Sequence, residues 1–146
     1  MEIVRMDSKH VPGIADLEKC CFNDPWSENS IASELKNALS YWLVATEQEK
    51  VIGYVGSQTV LGGADMMNVA VSPDHRRKGI ARKLIEQLIV DLKERGAVCL
   101  VLEVRASNVP AISLYESMGF SQIGRRPNYY RHPKEDALIL RNEWSN

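Results

Sequence analysis

Cysteine is scarce in this sequence, and the three present, Cys20, Cys21 and Cys99, are an odd number without C-x-x-C spacing. Neither a disulfide framework nor a zinc site follows, and the pattern suits a reducing cytosol. Histidine is as thin: His10, His75 and His132 lie far apart with no H-E-x-x-H spacing, so they read as surface residues and no metal is expected. No apolar run approaches the roughly 20 residues of a membrane span. The first residues, MEIVRMDSKH, lack the apolar stretch of a signal peptide, so a cytoplasmic protein with no membrane partner is expected. An excess of charge is missing too. Eighteen Lys and Arg against nineteen Asp and Glu leave a net charge of −1, without the basic field that holds a protein on nucleic acid.

What is present is an ordinary globular balance, 45% hydrophobic and 25% charged over 146 residues. There are no repeats, linkers or low-complexity tracts, so residues 1–146 read as one domain, expected to be monomeric. A chain this long buries roughly two-thirds of its unfolded surface and needs no metal or disulfide to hold a core.

Glu2 to Met6 alternates like a strand. Asp7 and Ser8 then offer caps to a helix with Val11, Ile14, Leu17 and Cys21 on one face. Trp26-Ser27 opens a second helix ending near Asn37. Tyr41–Thr46 and Val51–Leu61 read as a hairpin, Gly62-Gly63 as the next turn, and Met66–Val71 as a third antiparallel strand. Ile80, Leu84, Leu88 and Leu92 recur at steps of four in a long helix that Gly96 closes. The apolar run Cys99–Val104 predicts a strand covered on both faces. Asn108 caps a short helix over Val109–Ser117, and two strands near Ser121–Arg125 and Ala137–Arg141 end a mixed α/β domain.

Split by region, the charge is informative. Residues 1–70 hold 5 cations and 10 anions; residues 71–146 hold 13 cations and 9 anions. The cations crowd the start of the long helix: Arg76, Arg77 and Lys78 before Gly79, then Arg82 and Lys83. Cations at the positive end of a helix dipole oppose the helix unless an anion arrives, and a glycine there lets the loop wrap a phosphate. The alternative is a solvated charged turn. Neither G-x-x-x-x-G-K-[ST] nor G-x-G-x-x-G is present, which sets aside the common nucleotide loops.

The run Arg76-Arg77-Lys78-Gly79-Ile80-Ala81, between a strand ending Asn68-Val69-Ala70-Val71 and a long amphipathic helix, resembles the acetyl-CoA signature Q/R-x-x-G-x-G/A of the Gcn5-related N-acetyltransferases. Ala81 stands where many relatives have glycine. The element order matches that superfamily over essentially the whole chain. The stretches Leu102–Asn108 and Leu114–Phe120, with Pro25-Trp26, Asn128-Tyr129-Tyr130 and Glu135-Asp136, resemble its ribosomal-protein-alanine N-acetyltransferase branch. The resemblance implies a central, mostly antiparallel sheet with a splayed parallel strand pair and flanking helices. It further implies acetyl-CoA as cosubstrate and an N-terminal alanine, that of small-subunit ribosomal protein eighteen, as acceptor.

Acetyl transfer to an amine needs a neutral amine, a stabilised oxyanion and a proton for the leaving thiolate. An α-amine with a pKa of about 8 is neutral in roughly one molecule in ten at pH 7, whereas a lysine near 10.4 is neutral in about one in 2,500. Glu103 interrupts the run Leu100-Val101-Leu102-Glu103-Val104, where burial would raise its pKa toward that of a useful base. Its other reading is a polar position on an alternating strand face. By resemblance Glu103 is the general base and Tyr115 the general acid, although a lone tyrosine is often a packed aromatic. The resemblance further implies that backbone N–H groups near the end of the Met66–Val71 strand bind the oxyanion. It sets the pantetheine arm along Val69, Ala70 and Val71, the pyrophosphate on Arg77, Lys78, Gly79, Ile80, Ala81 and Arg82, and Asn108 against the coenzyme. Phe22, Trp26, Tyr129 and Tyr130 are either core aromatics or walls of a peptide groove, and Cys20, Cys21 and Cys99 read as packing. On this reading the acidic first half, with its two helices, faces a basic protein N-terminus and the basic second half holds the coenzyme. Two rival functions are kept, acetylation of a small-molecule amine and a non-catalytic acyl-CoA-binding module. The latter would have no need of Glu103 or Tyr115.

Overall fold

The computed structural model describes residues 1–144. Seven strands form one sheet: β1 (Glu2–Arg5), β2 (Ser40–Glu47), β3 (Lys50–Val60), β4 (Gly63–Val71), β5 (Cys99–Arg105), β6 (Ser121–Arg131) and β7 (Lys134–Glu143). Four helices join them: α1 (Val11–Cys21), α2 (Glu28–Glu34), α3 (Ile80–Glu94) and α4 (Val109–Ser117). The spatial order is β1-β2-β3-β4-β5-β7-β6, every pair antiparallel except β4 and β5. That exception follows from the connection, since a strand, a helix and a strand in sequence return the chain in its original direction. This is the mixed, mostly antiparallel architecture that the resemblance implies.

Strand alternation sorts the core onto two faces. Leu43, Ala45 and Val55 pack with Ile80, Leu84, Leu88 and Leu92 of α3. Trp42, Val44 and Tyr54 point the other way, against Ile14 and Leu17 of α1 and Ile31 of α2. Trp42 stacks on Tyr54 at 5.8 Å between ring centroids, and its ring crosses β3 where only glycine fits: a Cβ on Gly56 would lie 2.4 Å from the indole. Gly96, at φ 93°, ends α3 in a left-handed cap in which Ala97 N–H donates to Leu92 O at 2.9 Å.

Several boundaries differ from the sequence expectation. Asp7 caps a short 3-10 turn, Ser8–His10, ahead of α1. His10 is buried there, its Nδ1 accepting the Asp7 N–H at 2.9 Å, so it is not a surface histidine. The β3–β4 turn is made by Leu61 and Gly62, at φ 51° and 84°, not by Gly62-Gly63. β5 alternates beyond Leu100 and is not covered on both faces along its length. The last two strands are longer than their composition suggests because β7 is paired on both sides, to β5 and to β6.

Candidate active site

β4 and β5 part company soon after they start. Their parallel ladder covers only Gly63 with Cys99, Ala64 with Leu100 and Asp65 with Val101. Across β4, Gly56 of β3 faces Asn68 and Ser57 faces Met66, so Met67 is an extra residue, a bulge that turns the strand. From Met66 onward β4 has no ladder partner on the β5 side, and the opened edge is lined by two cavities.

The larger cavity, about 750 Å³, runs from Val69, Ala70 and Val71 to the start of α3. Gly79 caps α3 at φ 74° with open space where a Cβ would stand, and no side chain caps the helix or puts an acid in its first turn. The first N–H groups of an α-helix have no partner within it, so this end presents donors and the positive dipole end to an anion. Arg77, Gly79, Ile80, Ala81 and Arg82 line the cavity, as do Asn108 and Tyr115. Lys78 does not; it stands exposed between two left-handed residues, Arg77 and Gly79. Arg82 is partly committed elsewhere, donating to Ser117 Oγ at 2.9 Å. Arg76, the first residue of the signature run, also lines this cavity, as does His75, which the sequence suggested was only a surface histidine. An elongated pocket with an acid-free helix start fits a pyrophosphate-bearing ligand.

The second cavity, about 590 Å³, gathers Glu103, Asn108, Tyr115, Phe22, Trp26, Tyr129 and Tyr130. Five residues, Cys21, Phe22, Val69, Asn108 and Tyr115, line both cavities, so the two adjoin there. Tyr115 is buried, with its ring edge-on to Phe120 at 5.7 Å. Burial first, and Tyr130 second, push its hydroxyl up to about 12, so it keeps its proton through the physiological range. Cys21 is no rival as a nucleophile, because burial pushes its thiol up although Arg76 is close.

The surroundings of Glu103 correct the sequence expectation. Alternation along β5 buries Leu102 and Val104 and turns Glu103 toward the cavity, with 28% of its side chain exposed and Oε1 3.4 Å from Arg126 Nε. Its carboxylate is a half-open group at a groove wall, not one enclosed by apolar residues. Two acids of the acidic half are not on its surface. Glu18 of α1 and Glu34 of α2 are buried in hydrogen-bond networks, so they are not surface charges that a substrate could pair with directly.

Both readings of the aromatics hold at once for Phe22 and Trp26, which line the groove and pack on the core, Trp26 edge-on to Trp42 at 5.5 Å. Tyr129 and Tyr130 are groove residues. They follow Asn128, whose left-handed φ of 55° sits in a β6 bulge and is held by its N–H donating to Asp136 Oδ1 at 2.8 Å. Unforeseen was the strut behind them. Arg105 donates to Pro133 O at 2.8 Å and His132 O at 3.0 Å, pairs with Glu135 at 3.3 Å, and lies over the Tyr130 ring at 4.2 Å. Asn23 reaches the same hairpin, its Nδ2 donating to His132 O at 2.8 Å. Met66, Met67, Asn68 and Asp24 complete the groove. Among the described residues no cluster of His, Cys, Asp and Glu would hold a metal, and no helix is long and apolar enough to cross a membrane.

A splayed parallel pair, an anion-ready helix start and a second cavity meeting the first at a buried tyrosine are the parts of an acyl-CoA-dependent transferase. A family model described as the acetyltransferase (GNAT) family matches residues 11–120, and the chain belongs to that family. It is 40% identical over 141 residues, 94% of each chain, to the [ribosomal protein bS18]-alanine N-acetyltransferase of Escherichia coli K12. The crystal structure of the ribosomal-protein-S18-alanine N-acetyltransferase from Escherichia coli superposes with a TM-score of 0.91 at 37% identity, covering 99% of this chain and 94% of that one. The NatC complex bound to Gag peptide and CoA is similar at 25% identity, with a TM-score of 0.83 over 99% of this chain and 100% of the other.

Proposed function

We propose that the protein acetylates the α-amine of an N-terminal alanine, on a cytoplasmic small-subunit ribosomal protein of the bS18 kind, using acetyl-CoA. The 40% identity over 94% of both chains to a relative with that activity carries the reading, and the two adjoining cavities support it.

On this reading residues 1–146 act as one domain. Arg77, Arg82 and the N–H groups opening α3 hold the pyrophosphate in the 750 Å³ cavity. Lys78 contributes charge at the rim, Val69, Ala70 and Val71 flank the pantetheine arm, and Asn108 touches the coenzyme where the cavities meet. The bound coenzyme supplies the activated acyl carbonyl. Phe22, Trp26, Tyr129 and Tyr130 hold the peptide end so that its amine faces that carbon. Glu103 removes the amine proton, directly or through water, while backbone N–H groups of β4 past Asp65 donate to the carbonyl oxygen as charge develops there. As the carbon–sulfur bond breaks, Tyr115 gives its proton to the departing sulfur. A hydroxyl pushed up to about 12 is fully protonated at neutral pH, so it has a proton to donate to the charge developing on the sulfur. No metal takes part.

The test is mass spectrometry on peptides given acetyl-CoA. Peptides with a free N-terminal alanine are expected to gain one acetyl group, while N-blocked peptides with internal lysine are not. Equal labelling of the two sets would overturn the selectivity for the α-amine.

A further inference from the structure

Glu18 is the most deeply buried acidic side chain among the described residues, 1% exposed, and no cation pairs with it there. A carboxylate so enclosed is tolerated only when donors satisfy it. Three do, from three elements. The Trp26 N–H donates to Oε1 at 2.8 Å, Asn68 Nδ2 donates to Oε2 at 2.6 Å, and the Tyr54 hydroxyl donates to Oε2. Two of these donors, Trp26 and Asn68, line the 590 Å³ groove, one from the α1–α2 loop and the other beside the β4 bulge.

The pairing fixes which way the Asn68 amide faces. Asn68 turns its NH₂ toward Glu18 Oε2, which leaves Oδ1 as the other arm of the fork. Among the described residues no donor reaches Oδ1, and it is not one of the enclosed atoms lacking a partner. The groove wall beside the bulge therefore presents a free acceptor. It suits a ligand that donates, such as an ammonium or amine, and not a carboxylate.

We propose that Asn68 Oδ1 accepts a hydrogen bond from the substrate's α-ammonium group, and that Glu18 is a positioning residue that holds the Asn68 amide in the accepting orientation. This rests on the acetyltransferase reading above and adds a contact to it. Glu18 never meets the substrate. Through Trp26 it also ties the loop wall to the strand wall, so the acceptor and the aromatic residues keep their spacing.

The experiment uses the full chain, acetyl-CoA, an alanine-terminated peptide, and the same peptide with N-terminal propionyl in place of alanine, which lacks only the amine. Asn68→Leu is expected to raise the alanine peptide's KM about 10-fold, the range for a hydrogen bond to a charged group. The inhibition constant of the propionyl peptide and the KM of acetyl-CoA should change less than 2-fold. An unchanged peptide KM, or a parallel rise for both peptides, would overturn the contact, the second pointing to a distorted groove. Glu18→Gln can present either end of its amide to Asn68, and is expected to raise the peptide KM about 5-fold alone and to add nothing in the Asn68→Leu background. Full additivity would overturn the positioning role. Should Glu18→Gln not fold, Asn68→Leu with the paired peptides still decides the contact. A wild-type protein that acetylates neither peptide would overturn the acetyltransferase reading and this inference with it, an outcome distinct from any of the variants'.

Discussion

The two cavities meet at Tyr115 but are built by opposite means. Much of the proposed coenzyme side comes from one stretch of chain, Val69 to Arg82, which combines a helix start and a left-handed glycine with the arginines beside them. The groove draws on the α1–α2 loop, β4, β5, α4 and the β6–β7 hairpin, and its recognition rests on side chains. A ligand met mostly within one stretch of chain depends little on ties between distant elements. One met by side chains from five places depends on every tie that holds those places together. Coenzyme binding should therefore tolerate substitution in the groove, and peptide binding should be sensitive to residues that never touch the peptide.

Several substitutions probe this contrast. The largest effect is expected from Glu103→Gln, which should lower kcat about 100-fold or more, the usual scale for loss of a general base, while acetyl-CoA binding by calorimetry stays unchanged. Loss of coenzyme affinity would show that the cavities are not independent. Arg77→Ala should raise the KM of acetyl-CoA about 10-fold by removing a charge-assisted contact, with the peptide KM unmoved and the effect shrinking at high salt. Arg105→Ala should do the reverse. By releasing the hairpin carbonyls of His132 and Pro133 it should raise the peptide KM about 5-fold and leave acetyl-CoA alone.

The smallest effect is on stability in alkali. Tyr41, Tyr115 and Tyr130 are each pushed up to about 12, chiefly by burial. The folded chain thus holds these protons more tightly than the unfolded one, so their contribution is complete below pH 10 and lost as pH rises toward 12. Thermal melts should show that decline, and Tyr115→Phe should make it shallower by one titrating group. An equal slope would show that Tyr115 is not held neutral by its site.

The same contrast explains what the sequence made legible. The phosphate loop and α3 are contiguous, so the cations, Gly79 and the four-residue leucine and isoleucine spacing could be read directly. The splay was reached only through the family resemblance, because it depends on the ladder stopping at Asp65 and Val101 and on the bulge at Met67. Glu103 and Tyr115 were found through the family resemblance, but the surroundings of Glu103 were misread. A run of apolar letters suggests enclosure, whereas strand alternation turns Glu103 to the half-open face. Asn68 gives no local signal, since its partner Glu18 is fifty residues away. Counting charges by halves likewise cannot show that two of the acids, Glu18 and Glu34, are sealed inside. The Asn128-Tyr129-Tyr130 run carried a clue in Asn128, a residue that tolerates the left-handed turn found there.

The central claim is that both substrates are held together across Tyr115 and that the amine attacks the thioester directly. Initial rates measured over a grid of acetyl-CoA and alanine-peptide concentrations test it most directly. Intersecting double-reciprocal lines are predicted, the mark of a ternary complex. Parallel lines would mean that an acyl-enzyme forms before the peptide binds, and would contradict the account.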